Sequence, residues 1–88
     1  MKVIDLMFID RYPNLDLHGY DRDSARVAIN DFITDNIKMG NEIVVIVHGI
    51  GTGIIRSTTW EVLKQNKNVL EYKSDYNNAG CTIVKLKI

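Results

Sequence analysis

The stretch "VVIVHGIGTGIIR", residues 44–56, runs from four apolar residues through a histidine and three glycines in five positions into a new apolar and basic segment. Its opening is rich in β-branched residues and does not alternate with polar ones, the pattern of a strand buried on both faces in the middle of a parallel sheet. After the glycines, Ile55, Thr59, Val62 and Leu63 recur at the spacing of one side of a helix. A strand, a glycine-rich loop and a helix in that order direct backbone N–H groups and the positive end of a helix dipole at one point. Each favourable charge placed there is stabilised by roughly 0.3–1 kcal/mol, and a phosphate is the natural guest. Glycines suit such a loop because side chains would hold the ligand away and because positive φ costs them nothing. Thr52 adds a hydroxyl donor, and Arg56, one turn into the helix, a forked cation. A loop of this kind also serves simply to let a helix pack closely on a sheet, so its chemistry depends on what surrounds it.

Working outward, "LDLHG" (15–19) reads as a short strand and its exit turn. From Asp21 onward, Ala25, Ala28, Ile29, Phe32, Ile33 and Ile37 form one face of an amphipathic helix, with Asp21 or Asp23 as its cap and Gly40 as its stop. "NVLEYKSDY" (68–76) and "CTIVKLKI" (81–88) read as two strands joined as a hairpin by "NNAG", and the alternation at the end suggests a last strand with one wet face. In the N-terminal "MKVIDLMFIDRYP", Ile4, Leu6 and Phe8 fit a short strand that Pro13 separates from the rest.

The order strand, helix, strand, helix, strand, strand predicts a two-layer α/β sandwich with a mixed four-stranded sheet and both helices on one face. His18 with Gly19, and His48 with Gly49, Gly51 and Gly53, leave their strands at the same end, the edge along which open α/β sheets bind ligands. A lone histidine in such a place is more often a packing residue than a catalyst. Two on one rim, one beside a candidate phosphate site and the other beside Asp16, point to proton-transfer chemistry.

Composition limits the partners. The 88 residues fit one domain with a modest core, and eleven basic against eleven acidic residues leave no net charge, so any nucleic-acid role rests on a local patch. There is no apolar run long enough to span a bilayer and no cleavable N-terminal signal pattern; a cytoplasmic protein with no membrane partner is expected. The single cysteine, Cys81, has no disulfide partner within the chain and no zinc-site spacing around it.

Three segments in order, "LDLHGYDRDSA" (15–25), "IVVIVHGIGTGIIR" (43–56) and "AGCTIVKL" (79–86), resemble the small MutS-related, or Smr, domain family. That family is marked by an L-D-x-H-G segment, an H-G-x-G-x-G loop and a glycine-containing last hairpin. The likeness spans residues 15–88, so 14–88 is taken as an Smr-like domain and 1–13 as an N-terminal arm or edge strand. It implies a β-α-β-α-β-β sandwich similar to the C-terminal domain of bacterial translation initiation factor three. It also implies nucleic-acid binding, commonly with endonuclease activity on DNA or RNA. Such domains occur at the C-terminus of MutS-like proteins that act on recombination or on collided ribosomes, and as short stand-alone chains, of which this looks like one. The first motif falls on Leu15, Asp16, Leu17, His18 and Gly19, and the second on His48, Gly49, Gly51 and Gly53, with Arg56 at the basic position after the loop. Ile50 stands where many relatives carry Lys or Arg, and "NNAGC" replaces a richer glycine run.

The expected protein is therefore a nucleic-acid-binding domain and weak endonuclease acting on RNA or structured DNA. Gly49, Gly51, Thr52, Gly53 and Arg56 hold a phosphate, His48 and His18 share acid and base work, and Asp16 orients one of them or holds a metal. A divalent ion, Mg²⁺ or Mn²⁺, is an open option, since one carboxylate and two imidazoles can ligate one but clustered carboxylates are lacking. The alternative is a module that binds nucleic acid or the ribosome without catalysis. A small-molecule phosphate enzyme is a weaker third, because so short a chain offers no obvious closed pocket.

Overall fold

The computed structural model describes residues 12–75 and 78–88. The expected N-terminal arm therefore lies outside the described residues except for Tyr12 and Pro13. Six elements follow in the order β1 (Asn14–Asp16), α1 (Arg22–Lys38), β2 (Ile43–Val47), α2 (Ile54–Gln65), β3 (Val69–Ser74) and β4 (Cys81–Leu86).

Helix α1 starts where its sequence allows. Asp21 is extended, and its carboxylate accepts the Ser24 N–H at 2.7 Å, satisfying one of the orphan donors of the first turn. Ala25, Ile29 and Ile33 lie fully buried, while Ala28, Phe32 and Ile37 pack at the edge of the same core. Asn36 is buried beside them; its amide donates to the Phe32 carbonyl and its side-chain oxygen accepts from Asn41, so no polar group is stranded. Helix α2 buries Thr58, Thr59, Val62 and Leu63, and both threonine hydroxyls bond back to carbonyls four residues earlier.

The four strands form one sheet in the order β1-β2-β4-β3, with β1 parallel to β2 and β4 antiparallel to both β2 and β3. Val44 and Ile46 of β2, Val84 and Leu86 of β4 and Leu17 meet α1 and α2 in a single core, so both helices cover one face. Two expectations change. Strand β2 has a parallel neighbour on one side only, because β4 returns from the hairpin into the slot between β2 and β3. Strand β4 has no wet face: Cys81, Thr82, Ile83, Val84 and Leu86 are all buried, Lys85 is half-buried and paired on both sides with Ile43 and Glu71, and Lys87 lies beyond the strand. A strand in the second interior position is covered on both sides, whereas a chain-terminal strand in simple hairpin order would be an edge.

Because Ile46 is fully buried between the sheet and the helices, Ile46→Ala should lower stability by about 2–5 kcal/mol. Urea unfolding of the two proteins measures the difference.

Candidate functional site

The register of β1 on β2 places Asp16 opposite Val47, and Leu17 N–H donates to the Val47 carbonyl at 2.8 Å, so both motifs emerge from the same edge of the sheet. Their side chains then part. Leu15 and Leu17 turn to the core, which sends Asp16, between them, to the other face with its register partner Val47. On β2, Val44 and Ile46 face the core, and His48 continues that side: it is 8% exposed, whereas His18 is exposed.

Asp16 does not hold an imidazole. Its carboxylate accepts the backbone N–H of His18 at 2.9 Å and so pins the exit turn of β1. His48 is engaged at both ring nitrogens, with Nδ1 2.9 Å from the Gly49 carbonyl and Nε2 2.7 Å from Thr82 Oγ1. The carbonyl can only accept, so Nδ1 carries the proton. Thr82 Oγ1 also accepts the indole N–H of Trp60 at 2.9 Å. Burial lowers the His48 pKa, outweighing the Gly49 carbonyl, which raises it; the Arg56 charge lowers it further. The ring is thus kept neutral. Asp16, His18 and His48 are not assembled as a metal set, and the described residues contain no group of three or more His, Cys, Asp or Glu arranged to hold an ion.

Between His48 and α2 the chain turns through Gly49, Gly51 and Gly53, all at positive φ. A Cβ at any of the three would meet open space, so these glycines serve backbone shape and not close packing. Gly80 does the opposite. A Cβ there would come within 3.3 Å of Gly49 Cα, and its carbonyl accepts the N–H groups of both His48 and Gly49, tying the loop to the start of β4. Beyond this tie, the N–H groups of residues 50–53 donate to no group among the described residues. Gly53 caps α2 with its backbone alone, in a left-handed conformation. Among the described residues, the side chain that approaches a first-turn N–H is Thr52, whose hydroxyl lies 3.4 Å from the Ile54 nitrogen. No acidic residue occupies that turn.

Arg56 lies beside the loop, but its fork is partly committed. The guanidinium stacks on Trp60 with Cζ 4.6 Å from the ring centroid, and one terminal nitrogen donates to Ser74 Oγ at 2.9 Å. Its Nε is buried with no hydrogen-bond partner among the described residues. Loop and guanidinium line a hollow of about 160 Å³ together with His48. Ile50, 69% exposed, stands at its rim.

The Smr domain family model matches residues 15–87, most of the chain. The chain belongs to the Smr domain family. It is 37% identical over 79 residues to "Endonuclease MutS2" of Lactobacillus helveticus, covering 86% of this chain and 10% of that protein. The MutS2 of Streptococcus suis is 40% identical over 76 residues, with 83% and 10% covered. The chain thus spans about a tenth of the length of these curated relatives. Among solved structures, the Smr domain of Thermus thermophilus MutS2 superposes with a TM-score of 0.84 at 24% identity, over 86% of this chain and 99% of that one. YdaL, a stand-alone small MutS-related protein from Escherichia coli, gives 0.82 at 22%, over 100% and 80%. These two likenesses bear on the fold: a mixed four-stranded sheet and two helices, as expected.

Thr82, Trp60, Ser74 and Gly80 complete the surroundings of the Smr loop; Gly80 is the glycine of the last-hairpin motif, and the sequence assigns the other three no site role. Continuing the alternation Val44, Ile46 by one step would have placed His48 on the core side. Nothing local announces that the Trp60 indole, 22 residues away, donates to the Thr82 hydroxyl.

The lowered pKa of His48 makes stability depend on pH. Below the ordinary value of 6.5 the unfolded chain takes up a proton that the folded ring resists, so this part of the stability is present above about pH 6.5 and is lost as pH falls below it. Thermal melts across pH 7.5 to 5 should show a falling Tm in the wild type and a flatter profile in His48→Gln.

Proposed function

We propose that this Smr domain binds the phosphate backbone of nucleic acid through its glycine loop and cleaves RNA or structured DNA weakly. The observation that carries the binding half is the run of unpartnered N–H groups at 50–53, continuous with an α2 N-terminus that has no acidic cap. An anion there receives several short donors and the helix dipole at once. Thr52 supplies a further hydroxyl, and Arg56 supplies charge from the side without presenting its whole fork.

In this reading the expected catalytic roles are divided differently. His48 has no nitrogen to offer a substrate unless its bond to Thr82 breaks, so it acts in loop positioning. His18, exposed on the same edge and anchored by Asp16 through its amide, is the acid or base of the reaction. Asp16, His18 and His48 do not fit a divalent ion held by the protein, since they are not gathered around one point.

One observation favours a second function, nucleic-acid or ribosome binding without catalysis: the histidine of the loop motif is buried and bonded at both nitrogens. Cleavage of end-labelled single-stranded RNA, duplex DNA and branched DNA, each with Mg²⁺, Mn²⁺ or EDTA, separates the two. His18→Ala should remove most cleavage, on the order of 10²-fold or more, while binding is retained. Cleavage by His18→Ala at the wild-type rate would contradict its role, and no cleavage of any substrate by the wild type would leave the binding module.

Gly51→Val should weaken binding, because a β-branched residue at φ +29° redirects the loop amides while the added Cβ itself meets open space. Binding itself should show a shallow salt dependence, since a neutral chain with one loop grips few phosphates: about two to four contacts at roughly 0.7–0.9 each in the slope of log K against log salt. A slope implying eight or more contacts would mean that another, larger surface carries the affinity.

A further inference from the structure

Four groups between α2, β4 and the loop form a chain in which every proton has one available place. The Trp60 indole nitrogen can only donate, so Thr82 Oγ1 accepts from it. The Gly49 carbonyl can only accept, so His48 Nδ1 donates, and in the neutral ring Nε2 is left as an acceptor. The Thr82 hydroxyl proton therefore goes to Nε2, across the 2.7 Å contact. Trp60 is itself held in place, with Arg56 over its face and Tyr72 against it edge-on at 5.3 Å.

The end of this chain is a peptide plane. In a trans peptide the C=O and the following N–H point in opposite directions, and the described peptide bonds include no cis exception. A Gly49 carbonyl drawn toward the imidazole therefore turns the Ile50 N–H away from it. Gly49 N–H and His48 N–H are already spent on the Gly80 carbonyl, so Ile50 supplies the first of the loop's unpartnered donors.

We propose that Thr82, held by Trp60, is a positioning residue for the glycine loop. By donating to His48 Nε2 it fixes the Nδ1–H tautomer, which holds the Gly49 carbonyl inward and aims the Ile50 amide at a bound phosphate. This rests on the phosphate grip proposed above, but the relay has readouts that need no nucleic acid. Thr82→Val keeps the side-chain shape and removes the hydroxyl; Thr82→Ser keeps the hydroxyl; Trp60→Phe removes the indole donor and leaves Thr82 able to donate.

Imidazole ¹⁵N correlation spectra report the His48 tautomer, the Ile50 amide resonance reports the peptide plane, and anisotropy titration reports affinity for a single-stranded RNA oligonucleotide. Thr82→Val should give mixed His48 tautomers, a displaced Ile50 resonance and affinity lower by on the order of tenfold, the worth of one buried hydrogen bond. Thr82→Ser should restore all three readouts, and Trp60→Phe should retain the tautomer. A Thr82→Val protein with an unchanged tautomer and Ile50 resonance would overturn the relay. So would one in which both move while RNA affinity holds and Gly51→Val lowers it. Should Thr82→Val fail to fold, loss of the Nδ1–H tautomer in Thr82→Ser or Trp60→Phe overturns the relay and its retention in both supports it. Failure of the wild type to bind RNA or DNA would sink the proposed function alone, with the tautomer and the Ile50 resonance still deciding the relay.

Discussion

The hydrogen bond from His48 Nδ1 to the Gly49 carbonyl is the contact on which the rest of the site depends. It joins two parts of the chain that have different requirements. Upstream, β2 must stay buried between β1 and β4, and a polar ring at its end is tolerable there only with both nitrogens satisfied. Downstream, the loop must expose its backbone, and three glycines at positive φ let it do so without side chains in the way. The imidazole reconciles the two by spending one nitrogen on the core and the other on the loop. Gly80 completes the tie, since its lack of a Cβ lets β4 begin against Gly49 and its carbonyl takes the two N–H groups that would otherwise compete.

That division explains how a chain with equal numbers of acidic and basic residues could still hold an anion. Partial charges of backbone amides do not enter the count of Lys and Arg, and they need no counterion before the ligand arrives. Two of the arginines are, by contrast, directed at another side chain or at the fold. Arg26 pairs with Glu61 across the two helices at 2.7 Å on the exposed surface, and Arg56 lies against Trp60 and Ser74. The proposed grip would be local and modest, reaching a few phosphates and not a long tract.

Much of this was legible in residues 14–56. The Asp21 cap, the apolar face of α1, the buried run of β2 and the loop with a helix behind it follow from short-range rules that the structure obeys. The place of β4 was not legible. A hairpin fixes which strands pair but not whether the second inserts beside β2, and Lys85 and Lys87 imitate a solvent-facing alternation that the buried strand does not have. The two histidines share a sheet edge, as their positions after parallel strands implied, yet the two-residue period that buries Val44 and Ile46 also buries His48. The side-chain bond that gives His48 its character comes from Thr82, itself bonded to Trp60, and a bond between residues 34 positions apart leaves no trace in either segment.

The central claim is that the unpartnered amides of the loop receive a phosphate. Its most direct test is a ¹H–¹⁵N titration of the intact chain with a short single-stranded RNA at low salt, followed residue by residue. The largest shifts should fall on the amides of 50–53 and the first turn of α2, while His48 and Gly49, whose N–H groups are committed to Gly80, move little. Shifts concentrated instead on β3 and the exposed end of β4, around Lys73 and Lys87, with the loop amides unmoved, would contradict it.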